Sequence, residues 1–198
     1  FHLMGQHVNY KQRYRLNQGK FWASSYEDKR PELTNAQRKM LSHYDNATLY
    51  NDSIVAQIVK RFQKQNAIII YVPDHGEECY EENRGFICRN HSANIDWPLA
   101  HYEFEIPFWI YCSPKYIKNH RDIYRQIRKA KDKRFMTDAL PHLLLYLAGI
   151  ETPTYKEEYN ILSPKYNEMR PRILKNSVDY DKLRDEYYKK QEKKGAKK

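Results

Sequence analysis

The run Ala67-Ile-Ile-Ile-Tyr-Val-Pro-Asp-His-Gly-Glu-Glu78 constrains the fold more than any other stretch of the chain. Ile68, Ile69, Ile70 and Val72 are β-branched and almost uninterrupted, the pattern of a strand covered on both faces, as in a parallel sheet. Pro73 lacks a backbone donor and helps end the ladder, and Gly76 permits a sharp turn. Asp74 and His75 therefore leave the carboxyl end of a buried strand, where open α/β sheets carry their ligands. A carboxylate beside an imidazole suits a transition metal, and Glu77 and Glu78 add negative charge. The plainer reading of the same residues is a polar turn and nothing more.

A helix is expected before this strand. Thr34-Asn-Ala-Gln37 has the form of a capping box, and Met40, Tyr44, Ala47, Val55, Ile58, Val59 and Phe62 then recur at helical spacing. Running into the Ile68 strand, the helix reads as part of an α/β crossover. Asp45, Asn46 and Asp52 on it read as packing or polar-face residues. Residues 77–100 show no clear helix or buried strand, and a loop of that length is often functional. Ile106-Pro-Phe-Trp-Ile-Tyr-Cys112 reads as a second buried strand, and a third ends at Phe1. Asn119 is placed to cap a basic helix reaching about Arg134. Thr137-Asp138 then opens a core helix over Ala139–Ala148, nearly surrounded by leucines and closed by Gly149. Pro141 is tolerated in its first turn. Buried parallel strands need neighbours, and these are too few. The expected fold class is α/β: the C-terminal part of a larger sheet flanked by helices.

The formal net charge of +10 raises the question of nucleic acid. More than half of that excess lies between Lys165 and Lys198, and the lysine-rich end from Lys189 reads as a solvated tail. No nucleic-acid partner is expected on that distribution; attraction to an anionic membrane surface is the weaker alternative. Cys79, Cys88 and Cys112 match no zinc-finger spacing. Cys79 and Cys88 can close a short loop in an oxidising compartment, with Cys112 left as a core thiol. No run approaches the length of a membrane span.

Phe1-His-Leu-Met-Gly-Gln-His7 sets two histidines around a glycine, followed by Tyr10-Lys-Gln-Arg-Tyr-Arg15. On a loop after a strand, His2 and His7 can converge on one ligand; read alone, they are also ordinary surface histidines. Arg13 is a candidate for an anionic group, and His91 can fold back over the Asp74-His75 turn. His101 and His142 read as structural.

Taken together and in order, His2-Leu-Met-Gly-Gln-His7 with Tyr10 and Arg13-Tyr14, Tyr44-Asp-Asn-Ala-Thr-Leu-Tyr-Asn-Asp52, and Asp74-His-Gly-Glu77 resemble the phosphoethanolamine transferases. These are membrane-anchored members of the sulfatase branch of the alkaline-phosphatase superfamily. Asp138-Ala-Leu-Pro-His-Leu-Leu-Leu-Tyr-Leu-Ala-Gly-Ile150 with Thr152 and Tyr155 is similar to their closing helix and loop. The resemblance covers about residues 1–155 and implies the C-terminal part of an alkaline-phosphatase-like catalytic domain. Residues 156–198 then form a basic C-terminal extension. It implies zinc, one ion with a second allowed for, held by Asp74 and His75 together with an acidic residue and a threonine nucleophile outside this chain. His7 takes a catalytic place facing the phosphoryl group or a second zinc, His91, with a few residues inserted before it, matches the catalytic histidine beyond Asp-His-Gly-Glu, and His2 and Arg13 bind substrate. The implied partners are a phospholipid donor and a lipid A or lipopolysaccharide core acceptor. The implied location is the inner membrane, with this part in the periplasm.

Two departures from the family pattern stand out: Val8-Asn9 where Gly-Pro is usual, and a Cys79–His91 loop without the usual Gly-Glu-x-Gly ending in His-Gly. With its other ligands elsewhere, the chain alone is expected to be inactive, and exposed sheet edges would let it self-associate. Two other function classes fit less of the sequence. One is a sulfatase or phosphoglycerol transferase of the same superfamily. The other is a non-enzymatic basic module, whose binding would fall steeply with salt.

Overall fold

A computed structural model describes residues 1–90 and 94–195. The first 34 residues form loops and short 3₁₀ turns lying against the longest helix, α1 (Asn35–Phe62). That helix begins where the capping box places it: Thr34 Oγ1 accepts from Gln37 N at 3.3 Å, and Gln37 Oε1 accepts from Thr34 N at 2.7 Å. Buried Asn46 acts like a piece of strand backbone within the helix. Its Oδ1 accepts from Lys20 N and Phe21 N, and its Nδ2 donates to Phe21 O at 2.8 Å. One side chain thus fixes the leading segment on α1 and satisfies three backbone groups.

Strand β1 (Ile68–Tyr71) follows α1 and pairs with a strand over Trp109–Cys112, Ile68 opposite Cys112 and Tyr71 opposite Trp109. The pairing is antiparallel, and both strands are half-buried along their length. This corrects the expectation of parallel strands covered on both faces. An unbroken Ile/Val run reports burial and β-propensity but carries no direction, and the connection here runs outward from β1 and comes back beside it. The helix α1 is therefore no crossover between parallel strands among the described residues. At the base of the pair, Ser113 is fully buried. It accepts from Ala67 N, donates to Gln65 O and accepts from Tyr116 N.

The connection also departs from expectation. Residues 77–100 contain a hairpin, β2 (Glu78–Cys79) with β3 (Phe86–Cys88), then a one-turn helix α2 (Trp97–Leu99) capped by Asp96. A π turn over Ala100–Phe104 leads toward β4 (Trp109–Cys112). Strands of two and three residues are too short to leave a period of two in the sequence. Beyond β4, Ser113 caps α3 (Pro114–Asn119), and α4 (Arg121–Ala130) begins after a bend at His120. The single basic helix capped by Asn119 is thus two helices. The core helix α5 (Leu140–Ala148) ends in left-handed Gly149, as its sequence implies. Leu143 is fully buried but Leu144 is 45% exposed, so the helix has a wet side.

Residues 157–188 pack into the same body. Ile161 and Leu162 share a core cluster with Leu143 and Ala130. A small hairpin, β5 (Ile173–Leu174) with β6 (Val178–Asp179), and the helix α6 (Tyr180–Gly195) bring Leu174 and Tyr180 against Trp97 and Ala100. Among the described residues, no helix is long and apolar enough to cross a membrane.

Arg170 grips Asp138 through both guanidinium arms, at 2.6 and 2.7 Å, and lies over the Tyr159 ring. That bond holds the Asp138 carboxyl below the ordinary aspartate value of 3.8. A carboxyl depressed in the folded state adds stability above its unfolded pKa and loses it as pH falls through the folded value. Asp138→Asn is therefore expected to cost about 1 kcal/mol at neutral pH, since the carboxylate is half exposed. Denaturant titrations at successively lower pH should show the difference between variant and parent closing below 3.8.

Candidate metal centre

Beyond β1 the chain leaves the ladder at Val72-Pro73 and turns through Asp74, His75 and Gly76. Gly76 N donates to Glu103 O at 2.8 Å, so the turn lies directly on the π turn. A side chain at Gly76 would meet Tyr102 O at 2.2 Å, well inside contact distance, so only glycine permits the approach. Buried Glu103 extends the connection by accepting from Asn90 N at 2.8 Å, which ties the segment after β3 to the same place. Three pieces of chain distant in sequence thus meet at one point.

Asp74 is open to solvent, its side chain 89% exposed, while His75 beside it is mostly covered. Their Oδ2 and Nε2 atoms lie 3.6 Å apart. His75 Nδ1 sits 2.8 Å from Gly76 O. A carbonyl only accepts, so Nδ1 carries the proton and the lone pair is at Nε2. That lone pair meets Arg89 Nη1 at 2.9 Å, while Arg89 Nη2 reaches His7 Nε2 at 2.8 Å. His7 Nδ1 faces its neighbour's carbonyl, Val8 O, so both imidazoles point Nε2 at one cation, the guanidinium.

His7 is placed by a turn, with its N–H on Met4 O, and by Arg13, which donates through Nε to His7 O at 2.9 Å and through Nη2 to Val8 O at 3.2 Å. Arg13 thus braces the His7 loop from behind. Behind the site, fully buried Tyr10 donates to Glu77, with its hydroxyl 4.0 Å from Cys79 Sγ and 3.7 Å from Cys88 Sγ. Burial pushes the Tyr10 hydroxyl, the Glu77 carboxyl and both thiols up from their ordinary pKa values, the Tyr10–Glu77 bond adding to the tyrosine's shift and opposing the glutamate's. All three cysteines are free thiols.

The structure therefore brings together His7, Asp74 and His75 of the candidate residues, with Arg13 one step behind. His2 is exposed, and no hydrogen bond or ion pair among the described residues joins it to the group. His91 lies outside the described residues. Arg89 and Glu103 were not legible in the sequence, since neither sits in a motif and each acts across a fold contact. His101 stacks on Trp97 and His142 packs by Tyr159, in the structural places expected of them.

The donors fit zinc in kind. A carboxylate oxygen and an imidazole nitrogen 3.6 Å apart can share one ion at bonds of about 2 Å, and the lone pair already faces a positive charge. They do not complete a site, because zinc takes three or four protein ligands. Among the described residues, no group of three or more histidine, cysteine or acidic side chains is arranged to hold a metal.

Comparison with known proteins bears on this centre. A family model described as Sulfatase matches residues 1–150. The phosphoethanolamine transferase EptC of Escherichia coli (strain K12) is 33% identical over 190 residues, covering 92% of this chain and 31% of that protein. Kdo(2)-lipid A phosphoethanolamine 7''-transferase of the same organism is 29% identical over 141 residues, 67% of this chain and 22% of that protein. The crystal structure of the C-terminal periplasmic domain of Escherichia coli EptC in complex with Zn superimposes with a TM-score of 0.71 at 30% identity, covering 89% of this chain and 49% of that one. The chain thus spans about a third or less of these curated relatives.

Gly76→Ala should disturb the centre more than its size suggests. The added methyl group must displace backbone at Tyr102, and a loss of more than about 2 kcal/mol of stability is expected in equilibrium unfolding. A variant as stable as its parent would contradict the close approach.

Proposed function

The chain belongs to the sulfatase family, and from that premise we propose that it forms the metal-binding C-terminal part of a zinc-dependent phosphoethanolamine transferase. The observation that carries this reading is the Asp74-His75 turn after β1, with His7 aimed at the same place through Arg89. The relatives named as phosphoethanolamine transferases, and the zinc complex of one of them, support it.

In this reading Asp74 and His75 hold the ion, and an acidic ligand and a threonine nucleophile come from polypeptide outside this chain. Bound there, zinc would lower the pKa of the nucleophile's hydroxyl and draw charge from the phosphoryl oxygens. The Gly76 carbonyl fixes His75 in the tautomer that presents Nε2, the supporting role that oriented carbonyls play behind metal-bound imidazoles. His7 faces the phosphoryl group, its loop held by Arg13, and His91 is assigned a catalytic role beside it by the family resemblance alone. Substrate binding is assigned to exposed His2 and, through the His7 loop that it braces, to Arg13. The donor is a phospholipid and the acceptor lipid A or the lipopolysaccharide core. The whole protein is anchored in the inner membrane by segments outside this chain, with residues 1–155 in the periplasm as catalytic domain and residues 156–198 as a basic extension.

The test is metal content and transfer of a labelled phosphoethanolamine headgroup in the whole enzyme, with and without Asp74→Ala. Zinc and transfer should fall together, transfer by at least about 100-fold, since even partners behind a ligand cost 10–100-fold. Retention of both would reduce the Asp-His pair to a turn. Hydrolysis of a sulfate ester in place of transfer would move the protein to another branch of the family.

A further inference from the structure

Beside the metal pair runs a groove of about 930 Å³, lined by Asp74 and His75 and, farther along the chain, by Arg134, Arg172 and Arg184. We infer that these three arginines, with Lys131 and Lys133, form an anion subsite that takes a phosphate carried on a sugar. That the sugar belongs to the acceptor rests on the transferase reading; the subsite itself does not.

Arg134 follows α4, Arg172 precedes β5 and Arg184 lies on α6, yet all three meet one carboxylate, Asp181. Arg172 binds it through Nη2 at 2.6 Å and Nε at 3.1 Å, Arg134 through Nη2, and Arg184 at 3.5 Å. Arg184 also reaches its neighbour Asp185 at 2.9 Å. Arg172 is further fixed over the Tyr180 ring, its guanidinium carbon 4.3 Å from the centroid. Two carboxylates, Asp181 and Asp185, do not neutralise three guanidiniums. Each side chain keeps part of its surface open, 33% for Arg134, 22% for Arg172 and 40% for Arg184.

The rest of the groove does not cancel this charge. Six Lys and Arg residues line it against three carboxylates. Of those three, Asp74 belongs to the metal pair, Glu103 accepts a backbone N–H, and Glu105 accepts from Tyr180 and faces His101. None pairs with the arginines. Planar guanidiniums held in fixed orientation suit phosphate oxygens, which they bind two at a time. The volume fits a sugar with its substituents. A phosphoryl group at Asp74 and His75 and a second phosphate at the arginines would lie in one continuous space.

The experiment is calorimetric titration of the protein at low salt with glucose 1,6-bisphosphate, glucose 6-phosphate and inorganic phosphate. The bisphosphate should bind most tightly. Arg172→Gln should weaken it about tenfold, as loss of a bidentate guanidinium does, and Lys131→Gln, at an exposed position, several-fold. Asp181→Asn removes the anion that competes for the same donors and should tighten binding, a gain that misfolding cannot imitate. If Arg172→Gln fails to fold, Lys131→Gln and Asp181→Asn decide the matter. Inorganic phosphate binding as well as the bisphosphate would overturn the sugar-borne assignment in favour of a free-phosphate site. Unchanged binding in the variants, or none in the parent, would overturn the subsite and reduce the arginines to braces for Asp181. Anion binding requires neither zinc nor transfer, so a null titration leaves the Asp74–His75 reading standing, and loss of that reading leaves the subsite.

Discussion

The place where Gly76 rests on the Tyr102–Glu103 backbone holds the functional end of the molecule together. Two backbone segments there lie so close that a single methyl group would not fit between them. Everything that gives the centre its chemistry radiates from that contact. On one side, the Gly76 carbonyl sets the His75 tautomer. On the other, the Glu103 carboxylate receives Asn90 N and so determines where Arg89 begins. A carboxylate buried as completely as Glu103 is costly unless hydrogen-bonded, which makes this backbone bond a fixed link.

Two imidazoles that both present lone pairs to the same place need a donor or a cation between them. Arg89 supplies one, and the arrangement carries a consequence for metal binding. Each lone pair can serve either the guanidinium or an ion, so on the proposed reading a zinc held by His75 Nε2 would take the place that Arg89 Nη1 has here. Arg89 then keeps His7, to which its other arm is bonded. In that reading His75 would keep a positive partner in either state, beside an Asp74 that stays open to solvent.

What the sequence made legible follows from how local the cause is. The Thr34–Gln37 box, the Gly149 stop and the β1 run are each decided within a few residues, and each lies where its own chemistry puts it. Ile68–Tyr71 announces a strand because β-branched residues favour a pleated, partly covered surface. Whether its neighbour runs parallel or antiparallel depends on a path of more than thirty residues, which no run of isoleucines encodes. The β2–β3 hairpin escaped for a similar reason: its turn has left-handed Tyr80, Glu82 and Asn83, residue types without the Asn-Gly or Asp-Gly signature. Of the centre, Asp74, His75 and His7 were readable through their motifs. Arg89 and Glu103 were not, because each matters only once three distant segments have met.

The net charge gives the same lesson in energetic form. Counted along the chain, the basic residues after Lys165 resemble one uniform tail. In space they divide in two. Arg170 and Arg172 are held by carboxylates and tyrosine rings, mostly covered, in a segment whose Leu174 and Tyr180 belong to the core. Lys189, Lys190, Lys193 and Lys194 lie along the exposed end of α6. An ordered guanidinium has already lost the conformational freedom that an exposed lysine would still have to lose on meeting an anion. Equal charges therefore have unequal capacity for specific recognition, and in this protein the arginines packed against the groove hold the larger share.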